Sequence, residues 1–108
     1  MPLQSGGGLA VKSLHKRIVL SERQLRLIGK ALADPRRYQI LRQVGSDAKG
    51  VACSDIRQFQ PVTAPTLSHH IKELESAGLI RIIREGKYAW LLLEREVLKA
   101  YVDLLASI

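Results

Sequence analysis

The stretch Thr63–Leu79, TAPTLSHHIKELESAGL, decides the fold. Thr63 is a good N-cap, and Pro65 fits the first helical turn, where its missing N–H is not needed, so a helix opens here with free backbone donors. Leu67, Ile71 and Leu74 recur at i, i+4 and i+7 as one narrow apolar seam, and Gly78 stands where a left-handed C-terminal cap is wanted. The opposite arc carries Pro65, Thr66, Ser68, His69 and Lys72: short hydrogen-bonding side chains and one long cation, with no bulky apolar group. A face of that kind can enter a DNA groove, which makes this the expected recognition helix of a helix-turn-helix, its N-terminal residues at the base edges. A capped amphipathic helix with a polar outer face is also the commonest surface helix, so the flanking sequence has to decide.

Immediately after Gly78 come LIRII, then Arg84-Glu85-Gly86-Lys87, then YAWLLL. Two β-rich runs around a glycine-containing turn predict a hairpin with cations at its tip. A recognition helix followed by a basic hairpin predicts a winged helix.

The chain has 108 residues, enough for one domain and small enough for dimer formation to matter to stability. Lys and Arg give a formal net charge of +7, which suits an anionic partner, nucleic acid or a membrane surface. The single Cys53 excludes an intrachain disulfide framework. It points to a reducing compartment, and no apolar run approaches membrane-spanning length, so a cytoplasmic protein without a membrane partner is expected. No Ser-His-Asp set, paired carboxylates or phosphate-binding glycine loop appears, so no enzyme is expected.

Residues 1–20, with Gly6 to Gly8 and Lys12, His15, Lys16 and Arg17, read as a flexible basic arm, either a solvated tail or one that reaches DNA. Residues 21–108 are the expected DNA-binding and dimerisation domain. Ser21 and Gln24 make a capping box for a first helix from about Glu22 to Ala33, with Leu25, Ile28 and Leu32 on one side and Leu27 and Ala31 as a smaller apolar patch on the other. Asp34-Pro35 restarts the chain as N-cap and first helical residue of a second helix whose Ile40, Leu41 and Val44 face the core. Arg37 shares the sector of Leu41 and Val44, so a carboxylate is expected to hold it against the core, leaving Arg36 and Arg42 as the freer cations. Val51 suits a short strand beside the wing, and Ser54 suits the cap of a third helix carrying Ile56 and Phe59.

The last segment, Glu94 to Ile108, carries two stripes: Val97, Tyr101, Leu104 and Ile108, and beside them Leu98, Val102 and Leu105. One stripe is enough for the parent core. The wide arc predicts a two-fold homodimer through Leu27, Ala31, Leu98, Tyr101, Val102, Leu105 and Ile108, presenting two recognition helices roughly 34 Å apart to a pseudo-palindromic site. The fold expected is mainly α with a small β-hairpin, four helices, two strands and a fifth helix.

LADPRRYQIL, TAPTLSHHIKELESAGLI and REGKYAWLL together resemble the ArsR/SmtB family of bacterial winged-helix repressors over roughly Ser21 to Leu105. Asp34, Pro35, Arg37, Ile40 and Leu41 match its aspartate-proline step and following pattern; Ser68, His70, Ile71, Ala77, Gly78 and Leu79 match its recognition helix. The resemblance implies a dimeric repressor that leaves its promoter when an inducer binds, the inducer being unknown. Many members sense metals through cysteines that would fall on Ala52 and Ser54, beside Asp55, or through a last-helix site for which this chain has no histidine, only Glu94, Glu96 and Asp103 as acids. Neither ligand set is present, so no metal and no cofactor is expected.

Lone Cys53 reads as a small packed hydrophobe, with a thiol sensor as the sharper alternative. His69 and His70 point about 100° apart on a helix and do not converge; His69 is the expected DNA contact and His70 the half-buried neighbour of the seam. The recognition helix sets only Lys72 against Glu73 and Glu75, so phosphate attraction is assigned to Arg36, Arg42, Arg57, Arg84 and Lys87, aided by the helix's first N–H groups. The base-facing set is Ala64, Pro65, Thr66, Ser68, His69 and Lys72; Ala64, shorter than the residue the family often has there, leaves more of the specificity to DNA shape. The rival reading is a winged helix serving as a protein-interaction or dimerisation module, which predicts only salt-sensitive DNA binding without sequence preference.

Overall fold

A computed structural model describes residues 18–108. Most of the basic arm, residues 1–17, lies outside the described residues. The element order is α1 (Glu22–Leu32), α2 (Pro35–Val44), β1 (Val51–Ala52), α3 (Cys53–Phe59), α4 (Ala64–Ser76), β2 (Ile80–Glu85), β3 (Tyr88–Leu93) and α5 (Arg95–Ala106). This is the winged helix-turn-helix expected from the sequence, its hairpin widened to three antiparallel strands in the order β1-β3-β2. Val51 does join the wing, opposite Leu91, with Ala52 opposite Trp90.

The helix starts follow the caps. Ser21 Oγ accepts the Gln24 N–H at 3.0 Å, and the Asp34 carboxylate accepts from the Arg36 and Arg37 N–H groups at 2.7 and 3.4 Å. The capping box at α1 is only half formed: the Gln24 side chain donates instead to the Ala77 carbonyl at 3.4 Å, tying α1 to the end of α4. Helix α3 also departs from expectation. The chain passes directly from β1 into the helix, so extended Ala52 is the N-cap, without a side-chain bond, and Ser54 falls inside the first turn.

The core is one cluster built from every layer: Ile28 of α1, Ile40 and Val44 of α2, Ile56 of α3, Leu67 and Leu74 of α4, Leu79 before β2 and Leu91 of β3. Two apolar assignments change. Phe59 is 70% exposed, because the seven-residue α3 spends its inward face on Ile56. Ala31, expected on a partner-facing patch, is 1% exposed: α1 packs against both α2 and α4, so its inward arc is wide enough to take in Ile28 and Ala31 together.

Helix α4 ends in a two-bond glycine cap. Gly78 has φ +77°, its N–H donates to the Glu75 carbonyl at 2.9 Å, and the Leu79 N–H donates to the Leu74 carbonyl at 3.0 Å. The turn buries Leu79 and starts β2 at once, and the Glu94 N–H closes the base of the hairpin on the Leu79 carbonyl at 2.9 Å. At the hairpin tip Gly86, φ +60°, takes the first central position of a two-residue turn between paired Glu85 and Tyr88.

Gly78→Ala is therefore expected to cost about 1–2 kcal/mol from the left-handed backbone alone. A Cβ there would also stand 2.7 Å from Gln24 Nε2, displacing that flexible amide from the Ala77 carbonyl. Urea unfolding at neutral pH checks this; an unchanged midpoint would contradict it.

Candidate nucleic-acid interface

Helix α4 presents two chemically distinct faces because its sequence alternates with the helical period. Leu67, His70, Ile71 and Leu74 are buried, whereas Ala64, Pro65, Thr66, Ser68, His69 and Lys72 are all exposed. The N-cap Thr63 hydroxyl accepts the Thr66 N–H at 3.4 Å and lies 2.9 Å from the Thr66 hydroxyl, to which it donates. Thr66 is left with its own O–H to donate outward. The first turn of α4 also carries no acid, so the positive end of the helix dipole is unopposed there.

The expected cations are not equivalent. Arg84 of β2 shares a groove with Ser68 and Lys72, so the wing and the recognition helix form one continuous surface there. Arg57 lines a second groove with Ala64, at the junction of α3 and the start of α4. Lys87 is exposed at the wing tip, its ammonium 5.8 Å from the ring centre of exposed Tyr88. Arg36 is held: its Nη1 donates to Gln60 Oε1 at 3.3 Å, Gln60 Nε2 donates to Gln43 Oε1 at 2.8 Å, and Gln43 Nε2 donates to the Asp55 carbonyl at 3.2 Å. Arg42 is exposed in the last turn of α2, about 9 Å along the helix axis from Arg36.

Three participants escaped the sequence reading. Gln43 and Gln60 orient Arg36 across the helix-turn-helix, and only the folded chain brings them together. Tyr88 joins the wing tip, and an aromatic residue directly after Gly86-Lys87 was the available signal.

Arg37 is held against the core, as its helical sector predicts, but by more than a carboxylate. Its Nε donates to the Ala31 carbonyl at 2.8 Å, Nη2 to the Lys30 carbonyl at 3.3 Å, and Nη1 lies 3.2 Å from His70 Nδ1 and 3.9 Å from the Asp34 carboxylate. The Arg36 N–H is the largest cause holding the Asp34 carboxyl below the usual carboxylate range; burial opposes it, and the Arg37 N–H, the Arg37 guanidinium and His70 add to the lowering. Burial pushes the His70 imidazole below the ordinary histidine value, with Asp34 opposing and Arg37, His69 and Arg36 reinforcing the shift.

Cys53 is half-buried, packed against the core, and lines the groove shared by Ser68, Lys72 and Arg84. Among the described residues no three His, Cys, Asp or Glu side chains converge on a point that could hold a metal ion. No helix among them is long and apolar enough to cross a membrane.

The terminal helix divides along its length rather than stripe by stripe. Val97, Leu98 and Tyr101 pack against the parent core, Tyr101 reaching Gly29 of α1, whereas Val102, Leu104, Leu105 and Ile108 are exposed. Leu104 and Ile108 thus leave the core-facing stripe and Leu98 joins it, because the body of the domain extends only as far as the middle of α5.

A helix-turn-helix domain model matches residues 32–83, the segment from the end of α1 into the wing. The arsenical resistance operon repressor of Staphylococcus aureus is 34% identical over 79 residues, which cover 73% of this chain and 74% of that protein. The chain belongs to the ArsR family. An uncharacterized HTH-type transcriptional regulator of Methanocaldococcus jannaschii is 33% identical over 61 residues, 56% of this chain and 67% of its own length. Among solved structures, an ArsR family transcriptional regulator superposes with TM-score 0.70 at 28% identity, covering 83% of this chain and 91% of its own. The homodimeric winged helix-turn-helix DNA-binding domain of a possible ArsR-family regulator from Mycobacterium bovis has TM-score 0.64 at 26% identity, covering 99% of this chain and 91% of its own. This ArsR-family chain is a DNA-binding transcriptional regulator, a class defined by DNA binding rather than by catalysis.

Asp34 both caps α2 and faces Arg37, so Asp34→Ala is expected to lower the urea midpoint and Asp34→Asn, which keeps a capping oxygen, to lower it appreciably less. A depressed carboxyl stabilises the fold above its unfolded value, near 3.9, and that contribution disappears as pH falls through the lower folded value. The stability gap between the native chain and Asp34→Asn should therefore close as the pH is lowered from about 4 into stronger acid. A gap constant over that range, read by urea titration, would contradict the assignment.

Proposed function

We propose that this protein is a homodimeric repressor, acting in the cytoplasm, that occupies a pseudo-palindromic promoter site with α4 in the major groove. The observation that carries this reading is the single exposed surface formed by Ser68, Lys72 and Arg84, joining the outer face of α4 to the wing. Thr66, Ser68, His69 and Lys72 contact base edges, and Ala64 and Pro65 allow the backbone to approach closely. Arg36, Arg57, Arg84 and Lys87 bind phosphates and set the register, Arg36 in a direction fixed by Gln60 and Gln43. Arg42 lies farther along α2 and meets the backbone only where the DNA curves toward the domain.

The dimer reading rests on the apolar outer half of α5, where Val102, Leu105 and Ile108 are left uncovered by a domain of this size. Leu27, Leu98 and Tyr101 form its half-buried margin. Ala31 is no longer included. Residues 21–108 constitute the working unit, and residues 1–20 serve as a basic arm.

Selection of duplexes from a random pool by the purified protein tests this function. A two-fold symmetric motif is expected. Ser68→Ala with His69→Ala should weaken binding to it by about 1–3 kcal/mol per lost base contact while circular dichroism stays unchanged. Leu105→Asp should sediment as a monomer and lose the motif as well. Recovery of unrelated sequences whose binding vanishes with salt would instead favour a winged helix used for protein contacts.

A further inference from the structure

His70 lies on the inner side of α4 and is 8% exposed, the only buried polar side chain among the described residues. Its Nδ1 stands 3.2 Å from Arg37 Nη1, and the rest of that guanidinium is committed to the Ala31 and Lys30 carbonyls. A guanidinium has donors and no acceptor, so His70 must offer the Nδ1 lone pair and carry its proton on Nε2. A second proton would set donor against donor and cation against cation in a site largely closed to water.

The charges around the ring come from each element packed on α4. From α2, the carboxylate of its N-cap Asp34 attracts a charged imidazole, while Arg37 and Arg36 repel it. On α4 itself His69 repels it, and Glu73 is engaged by Lys30 of α1 at 3.8 Å. From β2, Arg81 pairs with Glu94 at 4.0 Å and Arg84 lies in the groove with Ser68 and Lys72.

We infer that Arg37 is a positioning residue for the recognition helix, acting through neutral His70, and that this contact makes DNA binding acid-sensitive. The inference rests on the reading of α4 as the DNA-contacting helix. Ser68 and His69 immediately precede His70 on a stiff helix, so a displacement that separates His70 from Arg37 carries both base-facing residues with it. A helix seated in a groove cannot make that displacement, so the protonated form is disfavoured in the complex relative to the free protein. The sign is diagnostic. Added positive charge on the exposed surface tightens attraction to phosphate, whereas protonating His70 loosens binding.

Dissociation constants for the selected duplex, measured at fixed ionic strength from about pH 8 to about pH 5.5, test the inference across the histidine range. The native protein should weaken by more than about twofold on acidification, and by less than the roughly tenfold that an ordinary histidine would give at pH 5.5, because burial holds His70 below that value. His70→Asn, which keeps an acceptor near the Nδ1 position and cannot titrate, should change less than about twofold over the same range. Arg37→Ala should bind more weakly at neutral pH and lose the acid step, with circular dichroism reporting the fold throughout. In parallel, nitrogen-detected NMR of the free protein should find the Nε2–H tautomer at neutral pH and α4 amide shifts that follow the ring's titration. Equal acid profiles in native and His70→Asn proteins, steady tightening of the native protein in acid, or an Nδ1–H tautomer would each overturn the inference. A protein that binds no duplex at any pH would overturn the DNA reading of α4, and the ring and amide titrations would then decide the Arg37–His70 contact separately.

Discussion

The outer face of α4 is available to DNA because its inner face is fixed over the whole length of the helix. Thr63 sets the first turn, the Leu67, Ile71 and Leu74 seam locks the body into the core, and Gly78 ends the helix in a left-handed turn that buries Leu79. Burying side chains of this size contributes about 1.5–3 kcal/mol each, far more than any single surface ion pair on this domain. The apolar seam therefore determines where the helix lies, and polar groups refine its orientation. Arg37 and His70 act on its second turn, and Gln24 acts on its end through the Ala77 carbonyl. Because Gln24 belongs to α1 and α1 also meets Tyr101 of α5, the helix end is linked through short contacts to the uncovered apolar face.

Electrostatic attraction is supplied from around α4 rather than by it. Lys72 is outnumbered by Glu73 and Glu75, but Lys30 of α1 engages Glu73 from the inner side. The positive end of the helix dipole and the neighbouring Arg57 and Arg84 then dominate the exposed side. In the proposed complex two tasks are separate: cations on several elements set the position on the backbone, and short side chains on one element read the bases.

The sequence makes the periodic parts of the fold legible and leaves contacts between elements hidden. Caps at Ser21, Asp34 and Thr63, the seam of α4 and the turn glycines Gly78 and Gly86 are local signals, and each appears where the sequence puts it. Ala31 was misread because periodicity reveals that a residue is apolar but not how many neighbours its helix must pack against; α1 has two. Ser54 lost its capping role because a two-residue strand runs directly into α3, a junction set by pairing with β3 about forty residues later. Within the candidate site, the exposed set on α4 followed from helical spacing, whereas the Arg36, Gln60 and Gln43 relay depends on three separate segments. The Arg37–His70 contact had one visible half, since the sector of Arg37 predicts that it is held but not that a histidine on α4 takes part.

Amide hydrogen exchange of the full-length protein, alone and bound to its selected duplex, tests the central claim most directly. If α4 and the wing form the DNA surface, exchange should slow together in residues 63–69 and 84–88, and the exposed face carrying Phe59 should be unaffected. Slowing confined to α1 and α5, with residues 63–69 unchanged, would contradict the account and leave assembly, rather than DNA reading, as the property that this fold serves.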